Sequence, residues 1–150
     1  ATALDPTGAE IANNLGSTYF RLGDYAKAET AFQRSLTLRP DFLAATENIA
    51  QARRRLAELA TLRDRLGLIV ATAPKPPGAR AGLAIESVVP GSPAALAEIV
   101  AGDLLVGADG NPLLSLTDLV KLLERTPPPK ALGVELWRAG KVQREKIRLQ

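Results

Sequence analysis

Leu66-Gly67-Leu68-Ile69 is the stretch that decides how the second half of this sequence folds. An apolar residue, a glycine and a second apolar residue form a turn. It runs into Leu68-Ile69-Val70-Ala71, a short, partly β-branched run of the kind that makes a strand. Gly67 suits the turn because a Cβ there would restrict the backbone shape. Bare N–H groups at such a turn can hold an anion, and the strand after it can accept an extended segment as an added strand.

Downstream, Ala73 to Arg80 is rich in Pro and Gly and is expected to form a loop. Leu83 to Val89 reads as a second strand, closed by Pro90-Gly91. Ser92 is placed to cap a short helix with Pro93 at its first position. Gly102 breaks that helix before a strand at Leu104 to Ala108. Asp109-Gly110 is a tight-turn signal, and Asn111-Pro112 leads away from it. Ser115-Leu116-Thr117-Asp118 reads as a capping box opening a helix over about 116–125, which Pro127-Pro128-Pro129 stops. Strands near 131–138 and 142–149, joined by Arg138-Ala139-Gly140-Lys141, complete this half, with Trp137 and Leu149 as packing residues.

Upstream the period is helical. Leu15, Gly16, Tyr19, Ala28, Phe32 and Pro40 fall at offsets 0, +1, +4, +13, +17 and +25. Leu15 and Tyr19 lie one turn apart, and Gly16 and Ala28 are small enough for two helices to approach closely. Gly23-Asp24 punctuates the turn between them, Phe32 fills the interface, and Pro40 ends the second helix. The pattern resembles the 34-residue tetratricopeptide repeat, with Ala12 where that family often has Trp. Leu4-Asp5-Pro6 echoes Leu38-Arg39-Pro40 at the same spacing, so residues 1–8 read as the tail of a preceding repeat and 9–42 as a full one. Asp41 is a candidate cap for a further helix over 43–63, carrying Leu43, Ile49, Ala50, Ala52, Leu56, Leu59 and Leu62 on its apolar face. That helix resembles the solvating cap of a repeat array.

Composition narrows the chemistry. The 150 residues suit one domain or two small ones; apolar residues are 46% and aromatics 4%, so Leu, Ala, Val and Ile must supply the core. The net charge of +3 is scattered apart from Arg53-Arg54-Arg55, and with few aromatics to stack bases that triplet reads as a solvated helix face, not a nucleic-acid patch. The absence of Cys and His excludes disulfides, Cys/His zinc sites and imidazole-based hydrolysis. Asp103 and Asp109 sit at turns, where capping explains them. No catalytic residue, metal ligand or cofactor site is identified. No apolar run approaches a membrane span of about 20 residues. The sequence has no Met and begins mid-pattern, as a part of a longer chain would, so membrane contact would come only from segments outside it.

Over residues 64–150 the order of signals resembles a PDZ domain of the bacterial HtrA/Deg kind. The Leu-Gly-Leu turn, Val89-Pro90-Gly91-Ser92-Pro93-Ala94-Ala95 and Gly102-Asp103-Leu104-Leu105 follow one another in that family's order. Glu98-Ile99 departs from the Gly-Leu common there. The implied fold is a TPR-like helical hairpin with a long capping helix (1–63), followed by a small α+β barrel or sandwich with two helices.

The resemblance implies a groove for a peptide C-terminus between the first strand and the long helix. The N–H groups of Leu66, Gly67 and Leu68, assisted by Arg65, would face the terminal carboxylate. Ile69, Val70, Leu116, Val120 and Leu123 would line the groove beside Leu68. With Leu116 first in the helix, apolar residues are expected at the ligand's last position and two before it. The implied function is a non-catalytic protein-interaction module taking protein C-termini or exposed apolar segments, with the TPR part scaffolding or self-associating. The alternative is the substrate-recognition part of a larger HtrA-like or other envelope serine protease whose catalytic domain lies elsewhere. By family analogy the location would be the bacterial envelope or periplasm.

Overall fold

A computed structural model describes residues 5–149. The expectations resting on Ala1 to Leu4 and on Gln150 lie outside the described residues. The chain divides into two compact units: one runs to Ala57 and includes Thr72–Pro76, and the other comprises Glu58–Ala71 and continues from Pro77.

The first unit is helical. Helix α1 (Pro6–Arg21) starts where Asp5 Oδ1 accepts from Gly8 N–H at 2.9 Å. Helix α2 (Tyr25–Leu38) starts where Asp24 Oδ1 accepts from Lys27 N–H at 3.1 Å. Such Asp caps satisfy a donor that the first turn leaves open. Buried Ser35 Oγ donates to the Ala9 carbonyl at 2.7 Å, tying α2 to α1. Ala28, Phe32, Ile49 and Ala52 form the apolar centre, joined by Tyr19, Phe20 and Leu36. Ile49 is 4% exposed there, whereas Leu15, its counterpart 34 residues earlier, is 47% exposed with no described helix preceding α1.

Helix α3 (Leu43–Leu66) differs from expectation at both ends. Asp41 does not cap it: its Oδ1 lies 3.6 Å from Arg39 Nε in the preceding turn, and the Phe42 carbonyl accepts the first helical bond from Thr46 N–H. At the other end the helix runs through Leu66 instead of stopping near Asp64.

In the second unit, strands β1 (Leu68–Val70), β2 (Leu83–Val88), β3 (Leu104–Ala108), β5 (Ala131–Arg138) and β6 (Lys141–Arg148) pair antiparallel in the order β1-β2-β3-β5-β6. Asn111-Pro112 does not simply lead away; it forms a short strand, β4, paired back on β3. Helix α4 (Pro93–Leu96) lies between β2 and β3, with Ser92 as its cap. Helix α5 (Leu116–Arg125) carries the expected box: Ser115 Oγ accepts from Asp118 N–H, and Asp118 Oδ2 from Ser115 N–H. Leu105, Leu119, Leu123, Leu132, Val134, Leu136 and Ile147 are almost wholly buried in one core. Leu149 is buried as expected, while Trp137 stays half exposed with the Arg80 guanidinium 3.8 Å above its ring.

A Cβ added at Gly16 would lie 2.5 Å from two ring carbons of buried Phe32. Gly16→Val is therefore expected to cost the helical unit about 1–3 kcal/mol by overpacking, seen as a lower midpoint of urea unfolding followed by far-UV circular dichroism. An unchanged midpoint would show that the α1–α2 interface yields freely.

Candidate functional site

The site expected at the Leu-Gly-Leu turn depends on where three backbone amides point. Leu66 lies inside α3, so its N–H belongs to that helix's own ladder. Gly67 N–H donates to the Arg63 carbonyl at 2.9 Å, and Gly67 has φ +75°. This is the left-handed glycine cap that closes many helices. Two of the three amides expected to face a carboxylate are thus engaged by the helix end. The Gly67 carbonyl accepts from Val89 N–H at 2.8 Å, and strand alternation then directs the N–H and C=O of Leu68 to the outer edge of β1. Among the described residues β1 pairs only with β2, so that edge has no strand partner.

Glycine at position 67 has the backbone reason expected of it, and a packing reason besides. The cap needs positive φ, and an added Cβ would lie 2.1 Å from Cβ and Oγ of Ser92, the residue capping α4.

Arg65 also differs from expectation. Its Nη1 donates to the Leu123 carbonyl at 2.8 Å and its Nη2 to the Thr126 carbonyl at 3.3 Å. These carbonyls belong to the end of α5, where a cation and extra donors are favourable. The guanidinium is thus held by α5 and is not poised for a carboxylate.

The expected groove residues separate into two groups. Leu68, Val70 and Leu123 are 1%, 5% and 0% exposed and are already members of the core. Leu116 and Val120 are half-buried on α5, and Ile69 is exposed on the opposite face of β1 from Leu68 and Val70. Only Leu116 and Val120 therefore combine surface with proximity to the core.

Sequence reasoning missed the residues of α3 that share this region. Leu62 and Leu66 are fully buried in the same core as Leu68, Leu119 and Leu123, and Leu59 packs against it. Glu58 is 8% exposed, and its Oε1 accepts from Thr117 Oγ1 at 2.9 Å. The signal was present: the leucine stripe at 59 and 62 continues to Leu66 at helical spacing.

The remaining polar feature is structural. Asp103, with a side chain 2% exposed, receives Arg138 Nε at 2.6 Å and Arg138 Nη2 on its two oxygens, and Val100 N–H at 2.9 Å. Arg138 Nη2 also donates to the Glu98 carbonyl at 3.0 Å, so β5 holds the α4–β3 turn in place. A cleft of about 1030 Å³ lies elsewhere, where Asp109, Glu135, Arg144, Glu145 and Lys146 mix both signs of charge. It contains none of the expected site residues. No group of three or more potential metal ligands occurs among the described residues, and none of their helices is long and apolar enough to cross a membrane.

Helical repeat followed by an edge-open sheet and a flanking helix is the build of a protein-interaction module. Family comparison specifies it: residues 9–42 match the tetratricopeptide repeat and residues 84–138 match the PDZ domain. Both are non-catalytic modules. No curated protein matches the chain. The HtrA3 PDZ domain bound to a phage-derived ligand (FGRWV) is similar at 24% identity and a TM-score of 0.49, over 57% of this chain and 85% of that one. The HtrA-type protease AlgW with a decapeptide is similar at 20% identity and a TM-score of 0.51, over 65% of this chain and 34% of that one. The matched region thus spans about a third of that protease, and the likeness is one of fold.

The Asp103–Arg138 pair gives a pH test. Burial alone would push the Asp103 carboxyl up, but hydrogen bonds from Arg138 and Val100 N–H and the Arg138 charge outweigh it and hold the carboxyl below its ordinary value. A carboxyl depressed in the folded state stabilises above its unfolded value of about 3.9 and loses that contribution as pH falls through the lower folded value. Asp103→Asn is expected to cost about 1–3 kcal/mol at neutral pH and to flatten the fall of melting temperature in acid. Parallel melting curves for both proteins from neutral pH to below 4 would show that the pair contributes nothing.

Proposed function

We propose that the second unit is a receptor for short peptide segments, taken up as an added strand along the outer edge of β1. The observation that carries this reading is that edge: β1 ends the sheet, and the main chain of Leu68 is directed outward from it. Strand addition supplies affinity through main-chain hydrogen bonds and specificity through alternate side chains. Leu116 and Val120 on α5 provide the apolar surface for those side chains, which favours ligands with an apolar last residue and another two before it. A few main-chain bonds at about 1 kcal/mol net each, plus one or two apolar side chains, set against the entropy of association, give micromolar affinity.

The test is a displayed library of random C-terminal peptides. The expected hits end in an apolar residue and lose most of their affinity when the terminus is amidated. Equal binding by the amidated forms would remove the carboxylate from the reading and leave internal apolar segments as ligands. Gly67→Glu is a poor probe, because it breaks the α3 cap as well as any anion site.

A contact role for the first unit is favoured by one stripe on α1. Ile11, Leu15 and Leu22 are 64%, 47% and 57% exposed and lie on one helix face. Self-association through it is expected to raise the mass seen by light scattering as concentration rises, and Leu15→Glu should reverse the rise. A constant monomer mass would exclude self-association.

A further inference from the structure

We infer that residues 58–66, the C-terminal part of α3, are the resident occupant of the peptide groove, and that an incoming peptide must displace them. The inference rests on the receptor reading above. It follows from which flank of α5 these residues approach. At 3.6 residues per turn, Thr117 lies about 60° from Val120 and about 100° from Leu116, but about 140° from Leu122. Glu58 binds Thr117, so α3 lies on the Leu116–Val120 flank, where a peptide between α5 and β1 would lie.

Direction agrees. Glu58 meets the beginning of α5 and Arg65 its end, so these turns run alongside α5 in the same sense. Gly67 then reverses the chain into β1. A strand added antiparallel to β1 would follow the same course. Leu62 and Leu66 are buried in the same core as Leu68 and Leu123, and Leu59 packs at its margin.

The occupant also blocks the cradle by its backbone. The proton on Gly67 N–H is committed to the Arg63 carbonyl, and that of Leu66 to its own helix. A carboxylate can reach all three amides only after the last turn of α3 unwinds. The clasp is reversible in character: Glu58 is a nearly buried carboxylate that regains water on release, and Arg65 and Thr117 give up individual hydrogen bonds. The resident segment also indicates the partner, a leucine-rich or similarly apolar peptide able to replace Leu59, Leu62 and Leu66.

The experiment uses the whole chain and peptides selected from the displayed library of random C-termini. Glu58→Ala combined with Arg65→Ala loosens the clasp without touching the buried leucines. Fluorescence anisotropy of labelled hits is expected to show at least tenfold tighter binding to this variant than to the parent. Hydrogen exchange of the unaltered chain gives an independent reading: saturating peptide is expected to speed exchange at 59–67 while slowing it in β1. Equal affinities with unchanged exchange in α3 would overturn the inference and leave the receptor reading intact. Binding of no peptide by either protein would overturn the receptor reading and this inference with it. If the double variant fails to melt cooperatively, exchange in the unaltered chain decides.

Discussion

A backbone amide has one proton, and the proton of Gly67 closes α3 on the Arg63 carbonyl. That single bond closes the helix and sets where β1 begins. While it stands, the helix runs to Leu66, the next residue turns with positive φ, and β1 starts one position later. The same geometry places Gly67 against Ser92, so the helix end, the start of β1 and the cap of α4 are fixed together. An anion receptor at this turn and a capped helix are mutually exclusive uses of the same group.

The packing around this point reflects the scarcity of aromatic residues. Leucines dominate the second unit's core, with β-branched Val134 and Ile147 on paired strands. In the first unit small residues do the equivalent work: Ala9, Ala28, Ala45 and Ala52 are fully buried, and Gly16 admits the ring of Phe32. The polar groups inside have defined partners, as Ser35 with the Ala9 carbonyl and Asp103 with Arg138 show. Such pairs orient elements more than they stabilise them, because desolvation offsets much of their attraction.

Much of the fold was legible because its signals are local. The capping box at Ser115, the Pro93 start of α4, the tight turns at Asp109-Gly110 and Ala139-Gly140 and the helical spacing from Leu15 to Phe32 each depend on residues within a turn or two of one another. The pairing of Asn111-Pro112 with β3 was not legible, since a two-residue strand has no periodicity of its own. Nor was the start of α3: Asp41 is a good cap by type, but the chain places it one residue too early.

The sequence by itself determined the two-part plan, the order of helices and strands, and the apolar faces of α3 and α5, because periodicity and turn chemistry act over a few residues. Only the tertiary structure decided where α3 ends. That α3 continues to Leu66 and engages the amides of Leu66 and Gly67 goes with Leu62 and Leu66 joining the core and Arg65 reaching the carbonyls of Leu123 and Thr126. Those partners lie about sixty residues away in the chain. Contacts of that range leave no mark in local spacing, so the extension of α3 through Leu66 could be seen only once the chain was folded.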